Sequence, residues 1–314
     1  MAAVDCPIGE TATVSVMSTR VIALDGPIEL RATLSPLGRG PHDPCISLGA
    51  RELWRATHTP DGPGTERLTS VEDGVEVEAF GPGADWLIEH APALVGAHDS
   101  GAEFAPADNR IAQWHRRAPG LRMTAAGNPV ELMVPTILEQ KVTSVEAHRA
   151  YGRLVRAHGQ PAPGPIELRL PPTPAELVAL PSFAWHACGV ERRRAETIRE
   201  VCRRAPSIER VAAGGSAAFQ TAITSIPGIG VWTATLVAQL AFGDPDAVIL
   251  GDFHLPAFVA WNLVGEREAD DARMLELLEP FRPHRARVVA LIGREGAHPP
   301  RRAPKRALRD IRRI

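Results

Sequence analysis

The sequence predicts an α+β protein: an N-terminal antiparallel β-sheet domain with one or two helices, followed by an all-α domain. Three observations carry this. Short β-rich runs separated by Gly/Pro/Asp turns occupy the first 80 residues. From about residue 107 apolar residues recur at helical spacing between capping and stop signals. The segment between, "AHDSGAEFAPAD" (97–108), has the composition of a linker. The expected boundaries are therefore 1–106 for the β-rich domain, 107–293 for the helical domain and 294–314 for a basic tail.

In chain order, "ATVSVM", "IELRATL", "CISLG", "LWRATH" and "VEVEAF" read as strands, with "LDGP", "PDGPG" and "EDG" as turns. "GADWLIEHAPALVG" reads as a helix with Gly96 beyond its end. Thr143 and Glu146 fit a capping box opening "SVEAHRAYGRLVRAH", which Gly159 stops. After a Pro-rich loop, "TPAELVAL" places Thr173 at the cap, Pro174 at the first helical position and Glu176 at the third. "GVERRRAETIREVCRRA", "SAAFQTAITSI", "VWTATLVAQLAF", "FHLPAFVAWNLV", "ADDARMLELLEPF" and "RPHRARVVALIG" follow at helical period. Trp54, Trp86, Trp114, Trp185 and Trp261 are expected in the core.

At 314 residues, 44% hydrophobic and 23% charged, the chain has the composition of an ordinary globular protein. No apolar run reaches the ~18 residues of a membrane span, and no signal-peptide layout opens the chain, so the expectation is a cytoplasmic protein. The four cysteines, Cys6, Cys45, Cys188 and Cys202, form no CxxC pair, so neither a zinc site nor an iron–sulfur cluster is expected. Net charge is −2, unevenly placed: residues 294–314 hold eight Arg or Lys and two acids, a net of +6, leaving −8 on the rest. Such a tail can add non-specific affinity for phosphates or simply be a solvated end. Only Lys141 and Lys305 are lysines. Arg192, Arg193, Arg194, Arg203 and Arg204 read as a basic helix face, solvated or near phosphates.

The most informative stretch is "SIPGIGVWTATLVAQLAFGDPDAVILGDFHL" (225–255). Pro227 ends one helix, and the next begins after Gly230, a tight helix–turn–helix at about 217–242. Gly228, Ile229 and Gly230 form the turn. Glycines there permit positive φ and close approach. Successive N–H groups beside a helix N-terminus make a concave anion site, suited to a backbone phosphate. A tight turn with no ligand is the other reading of GxG alone.

"SIPGIGVWTATLV…FGDPDAVILGDFHLP" resembles the helix-hairpin-helix plus Gly/Pro–Asp signature of the base-excision DNA glycosylase superfamily. It looks closest to the 3-methyladenine DNA glycosylase II branch. The resemblance runs from about Pro129 to Gly293, including "ILEQKVT" and "CGVERRRAETI", and "LGRGPHDPC" is similar to the N-terminal domain of that branch. It implies that Asp252 is catalytic. The chemistry agrees: cleaving an N-glycosidic bond builds positive charge on the sugar, which a nearby carboxylate stabilises while orienting water at C1′. An alkylated purine is already cationic and leaves well, so one carboxylate suffices where sugar hydrolases need two. Asp252 can equally cap the helix that follows, and the two roles are compatible.

By resemblance, the lysine of strand-cutting members matches Trp232 here, which implies a monofunctional enzyme. "ILEQKVT" supplies the element that fills the gap left by a flipped base, with Gln140 at a frequent glutamine and Lys141 at the wedge. Lys141 departs from the usual wedge residue. Wedge, phosphate contact, attack on an abasic sugar and plain surface lysine all stay open for it. Trp232, Leu236 and His284 match three pocket positions, of which only Trp232 is an aromatic ring suited to an electron-poor base. Trp232 can also be core, and His284 can stack, titrate or face solvent.

The expected function is a glycosylase for alkylated purines in double-stranded DNA, working as a monomer without organic cofactor, metal, membrane or obligate protein partner. The resemblance allows a monovalent ion at the hairpin carbonyls. The alternatives are a glycosylase for uracil or a deaminated purine, a non-catalytic helix-hairpin-helix DNA-binding protein, and a protein-interaction scaffold.

Overall fold

The structure, a computed structural model, describes residues 18–300 and 310–313. Cys6, the expected strand "ATVSVM", Lys305 and residues 301–309 and 314 of the basic tail lie outside the described residues.

The chain is α+β, as expected. Strands β1 (Ser18–Ala23), β2 (Ile46–Leu48), β3 (Glu52–Thr59), β4 (Gly62–Val71) and β5 (Gly74–Phe80) form one antiparallel sheet in the order β1-β5-β4-β3-β2. Register lines up Leu53, Leu68 and Val77 across three strands, so one face of the sheet is a continuous apolar row. That row packs on helices α1 (Leu30–Leu34) and α2 (Ala84–Leu94). The reading of "IELRATL" as a strand is corrected: it contains α1, because Leu30, Thr33 and Leu34 fall at i, i+3 and i+4 and bury together. β4 was hidden in the sequence because its first residues, Gly62-Pro63-Gly64, carry turn chemistry.

The helical part begins with α3 (Asn109–Arg117), capped by Asp108. Then come α4 (Pro129–Leu138) and α5 (Ser144–His158), the latter opened by the Thr143/Glu146 capping box. The Pro-rich loop contains a small ribbon, β6 (Gln160–Pro161) with β7 (Arg169–Leu170), laid against Ala56 and Trp54 on the second face of the sheet. α6 (Pro174–Ala179) starts at Thr173 with its own capping box. The rest are α7 (Ser182–Ala187), α8 (Arg192–Arg203), α9 (Ala205–Ala212), α10 (Ser216–Ile223), α11 (Val231–Phe242), α12 (Leu255–Val264), α13 (Asp271–Leu278) and α14 (Arg285–Glu295).

Two helical cores result. One gathers α4–α11 around Met133, Ile137, Leu154, Trp185, Ile198 and Phe219. The other joins α3 to α12–α14 around Ile111, Val259, Met274 and Val288. The connection from α11 to α12, carrying Asp252, crosses between them. A buried ion pair, Arg287 of α14 with Asp99, ties the second core to the segment after α2. Of the five tryptophans expected in the core, Trp185 and Trp114 are buried. Trp54, Trp86 and Trp261 are half-buried, covered on one face by Phe80, His90 and Arg267 respectively. Cys45, Cys188 and Cys202 are buried free thiols. Among the described residues no helix is long and apolar enough to cross a membrane.

Candidate functional site

The tight turn lies between α10 and α11, as the sequence indicates. Gly228 has φ +89°, a conformation that favours glycine, and a Cβ there would collide with the side chain of Thr197 on α8. Gly230 differs. Its backbone is extended (φ −101°, ψ 177°), and a Cβ would meet nothing within 4 Å. Gly228 is thus required by the fold, whereas Gly230 leaves an open approach to the N-terminus of α11. Ile229 turns its side chain into the first helical core, 5% exposed, and its N–H is already bonded to Ile226 O at 3.0 Å. Among the described residues, the donors left without a backbone partner here are the N–H groups of Gly228 and Gly230 and those of the first turn of α11, which have no i−4 carbonyl to bond.

Gln140, in the turn after α4, does not project into solvent. Its Nε2 donates to Gly228 O (3.0 Å) and to Thr233 Oγ1 (2.9 Å), so it braces the hairpin. Lys141 follows, exposed, at φ +60°, a strained conformation for a residue with a side chain. It stands beside the hairpin because Gln140 is anchored there. The carbonyls of Ile226 and Gly228 accept from Ile229 N–H and Gln140. A carbonyl has two lone pairs, so neither bond bars a hard monovalent cation. Among the described residues no group of three or more His, Cys, Asp or Glu side chains is placed to hold a metal ion.

Asp252 sits at the end of the α11–α12 connection, half-buried. The preceding Gly251 has φ +78°, and its N–H donates to Asp271 Oδ2 at 2.8 Å, which fixes the turn that aims Asp252. Asp252 Oδ1 accepts from the N–H groups of His254 (2.8 Å) and Leu255 (2.9 Å). Oδ2 accepts from Trp232 Nε1 at 3.1 Å. The capping geometry is therefore real, on α12 starting at Leu255, and it occupies mainly one oxygen. A carboxylate has about four lone-pair positions; three are used, so one stays open for a water or a developing cation. The next residue, Phe253, is 90% exposed and unsupported apart from an edge contact with His254.

Trp232 is half-buried and donates its indole N–H to Asp252 rather than being fully core. Leu236, one turn further along α11, is half-buried and packs toward the sheet-domain core. The pocket reading for His284 is corrected. Its ring is 6% exposed, tilted against Phe104 at 5.1 Å, and its Nδ1 accepts from Arg287 Nε at 3.4 Å. Burial, and then the charge of Arg287, push this imidazole below its ordinary value. It belongs to the second helical core because α14 folds back onto α3. The arginine face is also divided. Arg194 is buried, donating to Leu138 O at 2.7 Å to cap the end of α4. Arg192 pairs with Glu196, and both Arg203 and Arg204 pair with Glu200.

Sequence reasoning missed Thr197, Asp271 and Phe253. No local signal marks the first two, since their partners lie 31 and 20 residues away. Phe253 was hidden inside the apolar pattern "FHLPAFVAWNLV".

No protein-family model matches the chain. Over 145 residues, 44% of this chain, it is 30% identical to a Mycobacterium tuberculosis protein named probable bifunctional transcriptional activator/DNA repair enzyme AlkA; the match spans 28% of that protein. It is 26% identical over 168 residues to DNA-3-methyladenine glycosylase 2 of Escherichia coli, covering 53% of this chain and 58% of that one. The chain thus matches from about a quarter to somewhat over half the length of these relatives. The solved 3-methyladenine DNA glycosylase of Archaeoglobus fulgidus superimposes with a TM-score of 0.73 at 19% identity, over 88% of this chain and 97% of the other. That likeness establishes the fold. Together these relationships support the helix-hairpin-helix superfamily resemblance seen in the sequence.

Proposed function

We propose that this helix-hairpin-helix protein is a monofunctional DNA glycosylase. It hydrolyses the N-glycosidic bond of a flipped-out damaged base, an alkylated purine as substrate class, and leaves an abasic site in double-stranded DNA. The observation that carries the reading is the hydrogen bond from Trp232 to an Asp252 carboxylate held at the exposed junction beside the hairpin. The names of the sequence relatives point to the same chemistry.

The hairpin and the first turn of α11 hold a strand phosphate, and the nucleotide is extruded at a cost of a few kcal/mol. Lys141, on the turn braced by Gln140, fills or lines the gap. The cationic base lies against Trp232 and Leu236. As the bond to C1′ lengthens, electrons leave with the base, neutralising its charge, and positive charge grows on the sugar. The Asp252 carboxylate, prearranged by three donors, stabilises that charge and directs water to C1′. With Trp232 at the position of the lyase lysine, no Schiff base forms there. The protein acts as a cytoplasmic monomer.

The test uses duplexes with single defined lesions, followed by alkali. Product from the wild type and none from Asp252→Asn, with binding retained, supports catalysis. Equal binding without product from either favours the non-catalytic alternative. Product only from uracil or deaminated purines moves the substrate class. Strand breaks without alkali, abolished by Lys141→Ala, would overturn monofunctionality.

A further inference from the structure

Six arginines cluster between residues 192 and 204, and the sequence does not separate them. The structure does. Arg192 pairs with Glu196, Arg203 and Arg204 share Glu200, Arg199 lies over the Trp185 ring and donates to Leu180 O, and Arg194 is buried as a cap on α4. Arg193 alone among them is exposed and, among the described residues, has no carboxylate or carbonyl engaged by its guanidinium. Its position on α8 is specific. Thr197, four residues on, shares its helix face, and its Oγ1 donates back to Arg193 O at 3.1 Å. Thr197 is also the residue that packs under Gly228. Arg193 therefore lies one turn, roughly 6 Å, along α8 from the contact with the hairpin. Side chains lean toward the N-terminus of their helix, which carries its guanidinium further out from that contact.

We infer that Arg193 is a second phosphate anchor, gripping the DNA backbone beside the phosphate held at the hairpin. This rests on the DNA-binding reading above and extends it to a residue on a separate helix. The physical basis is that an unpaired, solvated guanidinium gains by displacing condensed counterions from a phosphate, whereas arginines already paired with glutamate gain less.

The test measures binding of the full chain to a duplex by fluorescence anisotropy across a salt series. It compares wild type with Arg193→Gln, Arg192→Gln and Arg204→Gln. Arg193→Gln is expected to lower the magnitude of the log K against log salt slope by about 1 and to weaken binding several-fold at low salt, equally for damaged and undamaged duplex. The two paired arginines serve as controls and leave the slope within error of wild type. A wild-type slope in Arg193→Gln overturns the inference, as does an equal drop in all three variants, which would indicate general charge. The readout is independent of base release. If Arg193→Gln lowers the slope but no lesion is excised by wild type, the phosphate anchor stands and the glycosylase reading falls. If excision is seen with an unchanged slope, only the Arg193 assignment falls.

Discussion

The two hairpin glycines make a sharp comparison, because the structure assigns them different jobs. Replacing Gly228 with alanine forces an L-residue to φ +89°, at about 1–2 kcal/mol. It also sets a Cβ 3.0 Å from Thr197 Cγ2 and closer still to its hydroxyl, an overpacking worth about 1–3 kcal/mol. The expected loss is therefore about 2–5 kcal/mol in unfolding free energy. Thr197→Ala removes both colliding atoms and leaves its own Cβ 3.2 Å from the new one, a tight contact, so relative to Thr197→Ala alone the added alanine costs mainly the backbone strain, about 1–2 kcal/mol. A double-mutant cycle from urea titrations, with Thr197→Ala alone as its fourth corner, reads the difference as a favourable coupling. Gly230→Ala has an extended backbone and open space around it, so stability stays within about 0.5 kcal/mol of wild type. Its methyl group nevertheless stands where a phosphate must come close, and DNA affinity is expected to fall about tenfold, near 1.4 kcal/mol. If Gly228→Ala were as stable as wild type, or if the double variant gave no relief, the packing argument would be wrong. Unchanged DNA binding by Gly230→Ala would remove the open approach to α11 as a phosphate site.

Other expectations follow from the same geometry. Trp232→Phe keeps a ring but deletes the N–H that bonds Asp252, a bond to a charged acceptor worth about 1.5–3 kcal/mol, so single-turnover base release should slow roughly 10- to 100-fold with little change in DNA affinity. Asp252→Asn should lower release by about 10²-fold or more while retaining binding. Arg287→Met leaves Asp99 buried and uncompensated, and should cost about 3–5 kcal/mol in urea unfolding, with Asp99→Asn restoring part of it. The pH dependence has a definite sign. Burial, then Arg287, depress the imidazoles of His115 and His284 below 6.5 in the folded chain. The unfolded chain takes up those protons first, so stability present above about pH 6.5 declines as pH falls below it. His284→Gln should make that decline shallower in denaturation midpoints recorded between neutral and mildly acid pH.

Much of the architecture was legible because its signals are local. Thr143 with Glu146, and Thr173 with Pro174 and Glu176, satisfy donors within one helical turn, so spacing alone locates the starts of α5 and α6. α11 is bounded by Gly230 and Gly243, which stop continuation in the backbone itself. Where signals conflicted, the reading failed. "IELRATL" has strand-like residues but buries at helical spacing, and β4 opens with turn residues. The site divided in the same way. Asp252, Trp232 and the hairpin stand within one 31-residue stretch, so their association was readable. His284 was not, since only the fold-back of α14 onto α3 buries it against Phe104.

The order of side chains determined by itself which segments become helix or strand, where a glycine turn precedes a carboxylate, and that the chain carries a helix-hairpin-helix pattern. Hydrogen bonds and apolar periodicity act over a few residues, and those distances are written in the chain. Only tertiary packing decided which glycine is needed by the fold and which leaves a surface open, that Arg194 is buried as a cap on α4, and which oxygen of Asp252 is held by Trp232. Those outcomes depend on atoms 20 or more residues apart meeting within hydrogen-bond or van der Waals range, and no linear spacing records that.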